Sequence, residues 1–191
     1  MIKATLLNSM GSDLDPAYAA WVSTGRDIDR TEQDAIELIA RLAKEGHHSC
    51  FEHLVASFMI ECPIFIARQI MRHRTFSYNE LSGRYKSFSS ATCYVPELED
   101  EAVKNFIQEH FDLSIKKYKS MREAGVSKEV ARYVLPLNTM TRFQMTGNLR
   151  NWIHFLKLRM DSHAQYEVRM VAKQIHAQLL ELWPISVDKL L

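Results

Sequence analysis

At 191 residues, with 47% apolar and 25% charged side chains, the chain can bury a sizeable core and is expected to be a soluble globular protein. Its 24 Lys and Arg nearly balance 23 Asp and Glu, which argues against general attraction to a nucleic-acid backbone. Three widely spaced cysteines, Cys50, Cys62 and Cys93, exclude a disulfide scaffold and fit a reducing cytoplasm; no apolar run approaches the roughly 20 residues of a bilayer span.

Residues 2–7 alternate and are rich in apolar side chains, which predicts a first strand, and Gly11, Ser12, Asp13 and Pro16 mark a loop before a helix. From Thr31 to Lys44, Ala35, Leu38, Ile39, Leu42 and Ala43 recur at helical spacing, with Thr31 as cap and Gly46 as stop. His53 to Cys62 alternates, placing Leu54, Ala56, Phe58 and Ile60 on one side of a strand. Pro63 then opens a helix to about Arg72, whose buried stripe is Ile64, Ala67, Ile70 and Met71 and whose other face carries Arg68, Gln69 and Arg72. A Ser-rich stretch leads to a short strand at 92–95, and Pro96 with acidic residues introduces a long amphipathic helix ending at Gly125. Ser127 caps a short helix stopped before Pro136, and 138–146 is strand-like. Two helices follow, at about 148–161 and 162–183, the second with capping-box spacing at Ser162 and Gln165. Without repeats or linkers, one α+β domain over 1–191 is the economical reading.

The run Q-I-M-R-H-R-T-F-S-Y-N-E-L-S-G-R-Y-K from Gln69 to Lys86 concentrates charge. With Arg68 it places Arg72, Arg74, Arg84 and Lys86, together with His73, around the single carboxylate of Glu80. A near-neutral chain that gathers so much repulsion is expected to bind an anion there, unless these side chains lie on a solvated face. Ser77, Tyr78, Asn79, Ser82 and Gly83 add hydroxyls, an amide and a close backbone approach, a combination suited to phosphate and nucleobase recognition. No Walker or G-x-G-x-x-G loop occurs, so side chains must cradle any nucleotide.

A second polar set, Gly46-His47-His48-Ser49-Cys50-Phe51-Glu52-His53, has poor spacing for a metal, since adjacent histidines diverge; a loop offering neutral donors to a cofactor is the better reading. A third set is Asn148, His154, Arg159, Asp161, Ser162 and His163. On one helix, Asn148 and Arg159 lie eleven residues apart on one face, roughly 16 Å from each other, while Leu149, Trp152, Ile153 and Leu156 pack inward. Arg159 near a helix C-terminus also gains about 0.3–1 kcal/mol from the macrodipole, so a purely structural role is equally open from spacing alone.

Arg72-His73-Arg74 followed by seven residues and Ser82 resembles the signature of the flavin-dependent thymidylate synthases. F-E-H at 51–53, P-I-F-I-A-R-Q at 63–69, S-Y-N-E-L-S-G-R-Y at 77–85, V-A-R-Y-V-L-P-L-N at 130–138 and L-R-M-D-S-H-A-Q-Y-E at 158–167 are similar to that family, in its order. The resemblance implies an α+β fold with a mostly antiparallel central sheet packed by several long helices, assembled as a homotetramer whose sites are shared between subunits. It implies reductive methylation of dUMP to dTMP, with 5,10-methylenetetrahydrofolate as carbon donor and FAD, reduced by NADPH, as hydride source. It implies no cysteine nucleophile, while histidine spacing, neutral charge and short apolar runs lead to the expectation of no metal, no nucleic acid and no membrane.

By matching position, the resemblance implies FAD contacts at Arg72, His73, Arg74, Glu80, Asn148 and His154, with Leu149 and Arg150 beside them and Ser49 and His47 from other chains. It implies a dUMP set of Gln69, Ile70, Met71, Arg72, Glu80, Leu81, Ser82, Gly83, Arg84, Arg132 and Arg159. Arg84 and Arg132 would meet the phosphate, and Arg159, against the uracil edge, would be the catalytic residue. Two other classes are weighed. A nucleic-acid module would use the same arginines with Phe76, Tyr78 and Tyr85 stacking on bases, which the neutral charge disfavours; a structural oligomer would leave the clustered polar residues unexplained.

Overall fold

The computed structural model describes residues 1–25 and 30–191. Strands β1 (Lys3–Met10), β2 (Val55–Pro63), β3 (Ser77–Glu80) and β4 (Met140–Asn148) form one antiparallel sheet in the order β1-β2-β4-β3. The helices are α1 (Asp15–Thr24), α2 (Glu32–Lys44), α3 (Ile64–Ile70), α4 (Glu101–Glu123), α5 (Lys128–Ala131), α6 (Leu149–Arg159), α7 (Tyr166–Leu182) and α8 (Pro184–Leu190). The expected α+β class, antiparallel sheet and long helices are therefore present. Among the described residues no helix is long and apolar enough to cross a membrane.

Contacts group the chain into two compact units. One, here the α4 unit, comprises Met1–Ile2, Glu61–Arg72 and Asn79–Phe143; the other, the α6 unit, comprises Lys3–Ile60, His73–Tyr78 and Gln144–Leu191.

In the α6 unit the core is aromatic. Trp152 meets Phe58 at 5.1 Å and Phe76 at 4.6 Å between ring centroids, both edge-on, and its indole N–H donates to the Gly147 carbonyl at 3.0 Å. Leu54, Ala56, Phe58 and Ile60 are all buried, as the alternation predicted. Strand β1 ends the sheet, and α7 protects its backbone: Ala4 N–H and Leu6 N–H donate to the side-chain oxygens of Gln174 and Gln178 at 2.9 and 2.8 Å. In the α4 unit, Phe88, Tyr118 and Ala131 are buried with Leu81, Met121 and Leu135 packed against them.

Side-chain caps start α2, α4, α5 and α6. Thr31 accepts from Asp34 N–H while the Asp34 carboxylate accepts from Thr31 N–H, a reciprocal box that starts α2. Asp100 caps α4, Ser127 caps α5 and Asn148 caps α6.

Several expectations are corrected. Pro63 is the cap before α3 rather than its first residue, and the buried stripe uses Ile66 in place of Ile64 and Met71. The strand expected at 92–95 is a single bridge, Cys93 to Thr139, because Pro96 ends the pairing. The Ser162–Gln165 box does not form: Asp161 organises that turn by accepting from His163 N–H at 2.8 Å, and α7 begins only at Tyr166. The last helix breaks at Trp183, and the unexpected α8 is started by Asp13, whose carboxylate accepts from Ile185 and Ser186 N–H at 2.6 and 2.9 Å. Strand β3 was also unforeseen; its Ser-Tyr-Asn-Glu sequence is short and polar, and only pairing beside β4 makes it a strand.

Candidate active site

The α4 unit holds every expected nucleotide residue except Arg159. Gln69, Ile70 and Met71 lie at the end of α3, and the chain from Glu80 to Lys86 leaves β3 through a turn in which Tyr85 and Lys86 N–H donate to the Ser82 carbonyl. Arg84 N–H donates to the Ser82 hydroxyl oxygen at 3.3 Å, so this turn sets the direction of both side chains.

Two guanidinium groups converge here on one residue absent from the sequence expectation. Arg84 Nε lies 3.4 Å from a Glu129 carboxylate oxygen, and Arg132 Nε donates to the Glu129 main-chain carbonyl at 3.3 Å. The Ser127 cap and the Glu129–Arg132 spacing within one turn were the available signal. Gly83 is buried beneath them: a Cβ there would stand 2.9 Å from Arg132 Cδ and 2.7 Å from the Phe88 ring. The missing side chain is what lets Arg132 lie across this turn.

Glu80 is held from β4. Its carboxylate accepts from the Thr141 hydroxyl at 2.7 Å, and Leu81 N–H donates to the Arg142 carbonyl at 2.9 Å. Burial first, and the Glu80 charge second, push the Cys62 thiol up to about 12, while burial also raises Cys93. Neither thiol is poised as a nucleophile. Ile70 is fully buried, whereas Arg72 is exposed.

The α6 unit brings together His73, His154 and Arg159. Arg159 Nε donates to His73 Nε2 at 2.9 Å, and His73 sits edge-on to Phe155 at 5.0 Å and to His154 at 6.0 Å. Burial, then the Arg159 cation and His154, pull the His73 imidazole down to about 4. Asn148 is spent as a cap, its side-chain oxygen accepting from Asn151 N–H at 3.0 Å. Leu149 is fully buried and its N–H donates to the Leu54 carbonyl, while Arg74 is exposed.

The remaining cofactor candidates share one concavity of about 430 Å³, lined by His47, Ser49 and Arg150 together with Ala20, Ser23 and Leu42. Arg150 is held at its rim by Glu52, 2.6 Å away, and His47 Nδ1 lies 3.5 Å from Glu45. Guanidinium, imidazole and hydroxyl groups around an open hollow form a donor set for an anionic cofactor. Glu52, from the Phe51-Glu52-His53 motif, thus positions Arg150. Among the described residues no group of three His, Cys, Asp or Glu side chains is arranged to hold a metal ion.

The family model described as "Thymidylate synthase complementing protein" matches residues 5–185. A flavin-dependent thymidylate synthase of Thermotoga neapolitana is 43% identical over 96% of this chain and 88% of its own length, and one of Pseudothermotoga lettingae is 40% identical over 96% and 87%. This chain belongs to the flavin-dependent thymidylate synthase family. A crystal structure of a UMP/dUMP methylase from Streptomyces cacaoi bound with 5-Br dUMP superposes with a TM-score of 0.91 at 31% identity, covering 99% of this chain and 94% of the other. The family's motif residues thus fall into two local groups, the Arg84–Arg132 pair held at Glu129 and the pair formed by Arg159 at the end of α6 and His73 from the segment before β3.

Proposed function

We propose that the chain, acting as one functional domain over 1–191, converts dUMP to dTMP by reductive methylation, with methylenetetrahydrofolate as carbon donor and FAD reduced by NADPH. The observation that carries the reading is family membership over nearly the whole chain, 43% identity to a named flavin-dependent thymidylate synthase included. A dUMP analogue bound to the structural neighbour supports dUMP as the substrate here. Cytoplasmic action and assembly as a homotetramer belong to the same proposal.

On this reading Arg84 and Arg132 hold the nucleotide phosphate from two directions, with Ser82 and the adjoining amides completing the cage and Gln69, Ile70, Met71, Arg72, Glu80, Leu81 and Gly83 lining the nucleotide. His47, Ser49, Arg72, His73, Arg74, Glu80, Asn148, Leu149, Arg150 and His154 hold FAD, whose anionic diphosphate suits the guanidinium and imidazole donors described above. When bound, the flavin supplies hydride transfer that side chains cannot perform. Arg159 contributes the electrostatic step: a fixed cation beside the N3–C4–O4 edge of uracil favours negative charge there and makes C5 more nucleophilic. No thiolate is required, in keeping with the protonated state of Cys62.

The test is a turnover assay on purified protein. Flavin absorbance in the preparation, bleaching with NADPH, and dTMP formed from dUMP only when methylenetetrahydrofolate is present are the expected results, with dUMP preferred to UMP. Arg159→Ala is expected to lower turnover at saturating dUMP about 10²-fold or more. A colourless protein that forms no dTMP after FAD addition would sink the proposal.

A further inference from the structure

We infer that His73 is the positioning residue of Arg159, accepting its Nε–H at Nε2 and so setting the plane in which the guanidinium meets the substrate ring. This rests on the reading of Arg159 as catalytic. The two residues are separated by 86 positions in the chain and joined by a 2.9 Å hydrogen bond. Arginine has donors and no acceptor, so Nε2 must present its lone pair and the neutral ring must carry its proton on Nδ1. Because the bond uses Nε, the nitrogen nearest the chain, it restrains rotation of the guanidinium plane as well as its place.

The imidazole is itself restrained. It is only 7% exposed, its ring lies edge-on to Phe155 and His154, and its main-chain carbonyl accepts the Tyr78 hydroxyl at 2.8 Å. Among the described residues, the titratable and charged groups against it include Arg159 and His154 from α6 and Tyr78 from its own segment. Burial pushes the Tyr78 hydroxyl up to about 12, so it remains a donor, and the lowered imidazole remains an acceptor throughout the neutral range. Phe155 and Arg159 are one helical turn apart, so α6 supplies both the wall against which the imidazole rests and the cation it holds.

The choice of a neutral acceptor has a chemical reason. A carboxylate at this place would hold Arg159 as firmly, yet would offset much of the positive charge that the uracil oxygen is to feel. Neutral imidazole fixes the group and leaves its charge in place. Protonation would reverse this, setting two cations face to face with no lone pair between them.

The experiment compares His73→Phe, which keeps a ring against Phe155 but removes the acceptor, with His73→Gln, which restores one. Both are measured as flavin-loaded enzyme in wild-type and Arg159→Ala backgrounds, and ring-nitrogen NMR shifts of wild-type His73 are followed with pH. His73→Phe should lower kcat about 10–100-fold with KM for dUMP changed less than about threefold, and His73→Gln should recover most of the loss. In the Arg159→Ala background the His73→Phe loss should shrink to less than about twofold. The wild-type ring should be the Nδ1–H tautomer at pH 6. An Nε2–H tautomer, an undiminished His73→Phe loss without Arg159, or a fast His73→Phe enzyme beside a slow Arg159→Ala enzyme would each overturn the inference alone. Full turnover by Arg159→Ala would instead overturn the catalytic assignment on which it stands.

Discussion

Arg84, Arg132 and Gly83 act as one arrangement, since each guanidinium is steered by Glu129 and the glycine leaves the space beneath. Gly83→Ala would force Arg132 Cδ or the Phe88 ring away from a Cβ at 2.9 and 2.7 Å, an overpacking strain of about 1–3 kcal/mol. The expected result is a KM for dUMP raised about tenfold with kcat little changed, measured by initial rates. His73 makes a second prediction, about pH. Its proton is taken up by the unfolded chain near 6.5 but by the folded chain only near 4, so stability is greatest above 6.5 and is lost as pH falls towards 4. Urea unfolding of wild type should therefore weaken more steeply across that window than unfolding of His73→Phe. The exposed Glu45–His47 pair adds little, being screened by solvent.

At the scale of elements, α6 matters most because it starts at one candidate residue and ends at another. Asn148 caps it, Trp152 and Phe155 bury it, and Arg159 closes its last turn. The junction from β4 to α6 depends on Gly147, where a Cβ would stand 2.4 Å from the Phe76 ring, itself edge-on to Trp152. Gly147→Ala should destabilise the protein by about 1–3 kcal/mol in urea unfolding, and Phe76→Leu in the same chain should recover part of that loss. Helices α2, α4 and α6 were legible because cap and apolar period lie within each segment. Helix α8 and strand β3 were not, since Asp13 supplies the cap of one from 172 residues away and pairing beside β4 makes the other.

For the molecule as a whole, the homotetramer proposal meets a chain that leaves large apolar side chains in water. Phe106 is 70% exposed and Leu113, one heptad along α4, 50%; on α1 Val22 is 76% exposed. Such side chains support burial between subunits, and α1 residues Ala20 and Ser23 line the concavity that also holds Ser49 and Arg150. Val22→Asp should therefore shift the protein to smaller species on size exclusion and remove flavin absorbance from the same peak. Flavin retained on a monomer would contradict sites shared between subunits.

The chain of amino acids by itself determined the α+β class, the capped helices and the family, because these rest on local period and ordered motifs. It also grouped Arg72, His73, Arg74, Ser82 and Arg84 along one stretch of chain around Glu80. Only the tertiary structure decided that Glu129 steers Arg84 and Arg132, that Glu80 answers to Thr141, and that His73 answers to Arg159. Apart from Glu129 and Arg132, which share one turn, those pairings join residues far apart in sequence, and a contact between them follows from how the backbone returns on itself, which no local pattern encodes.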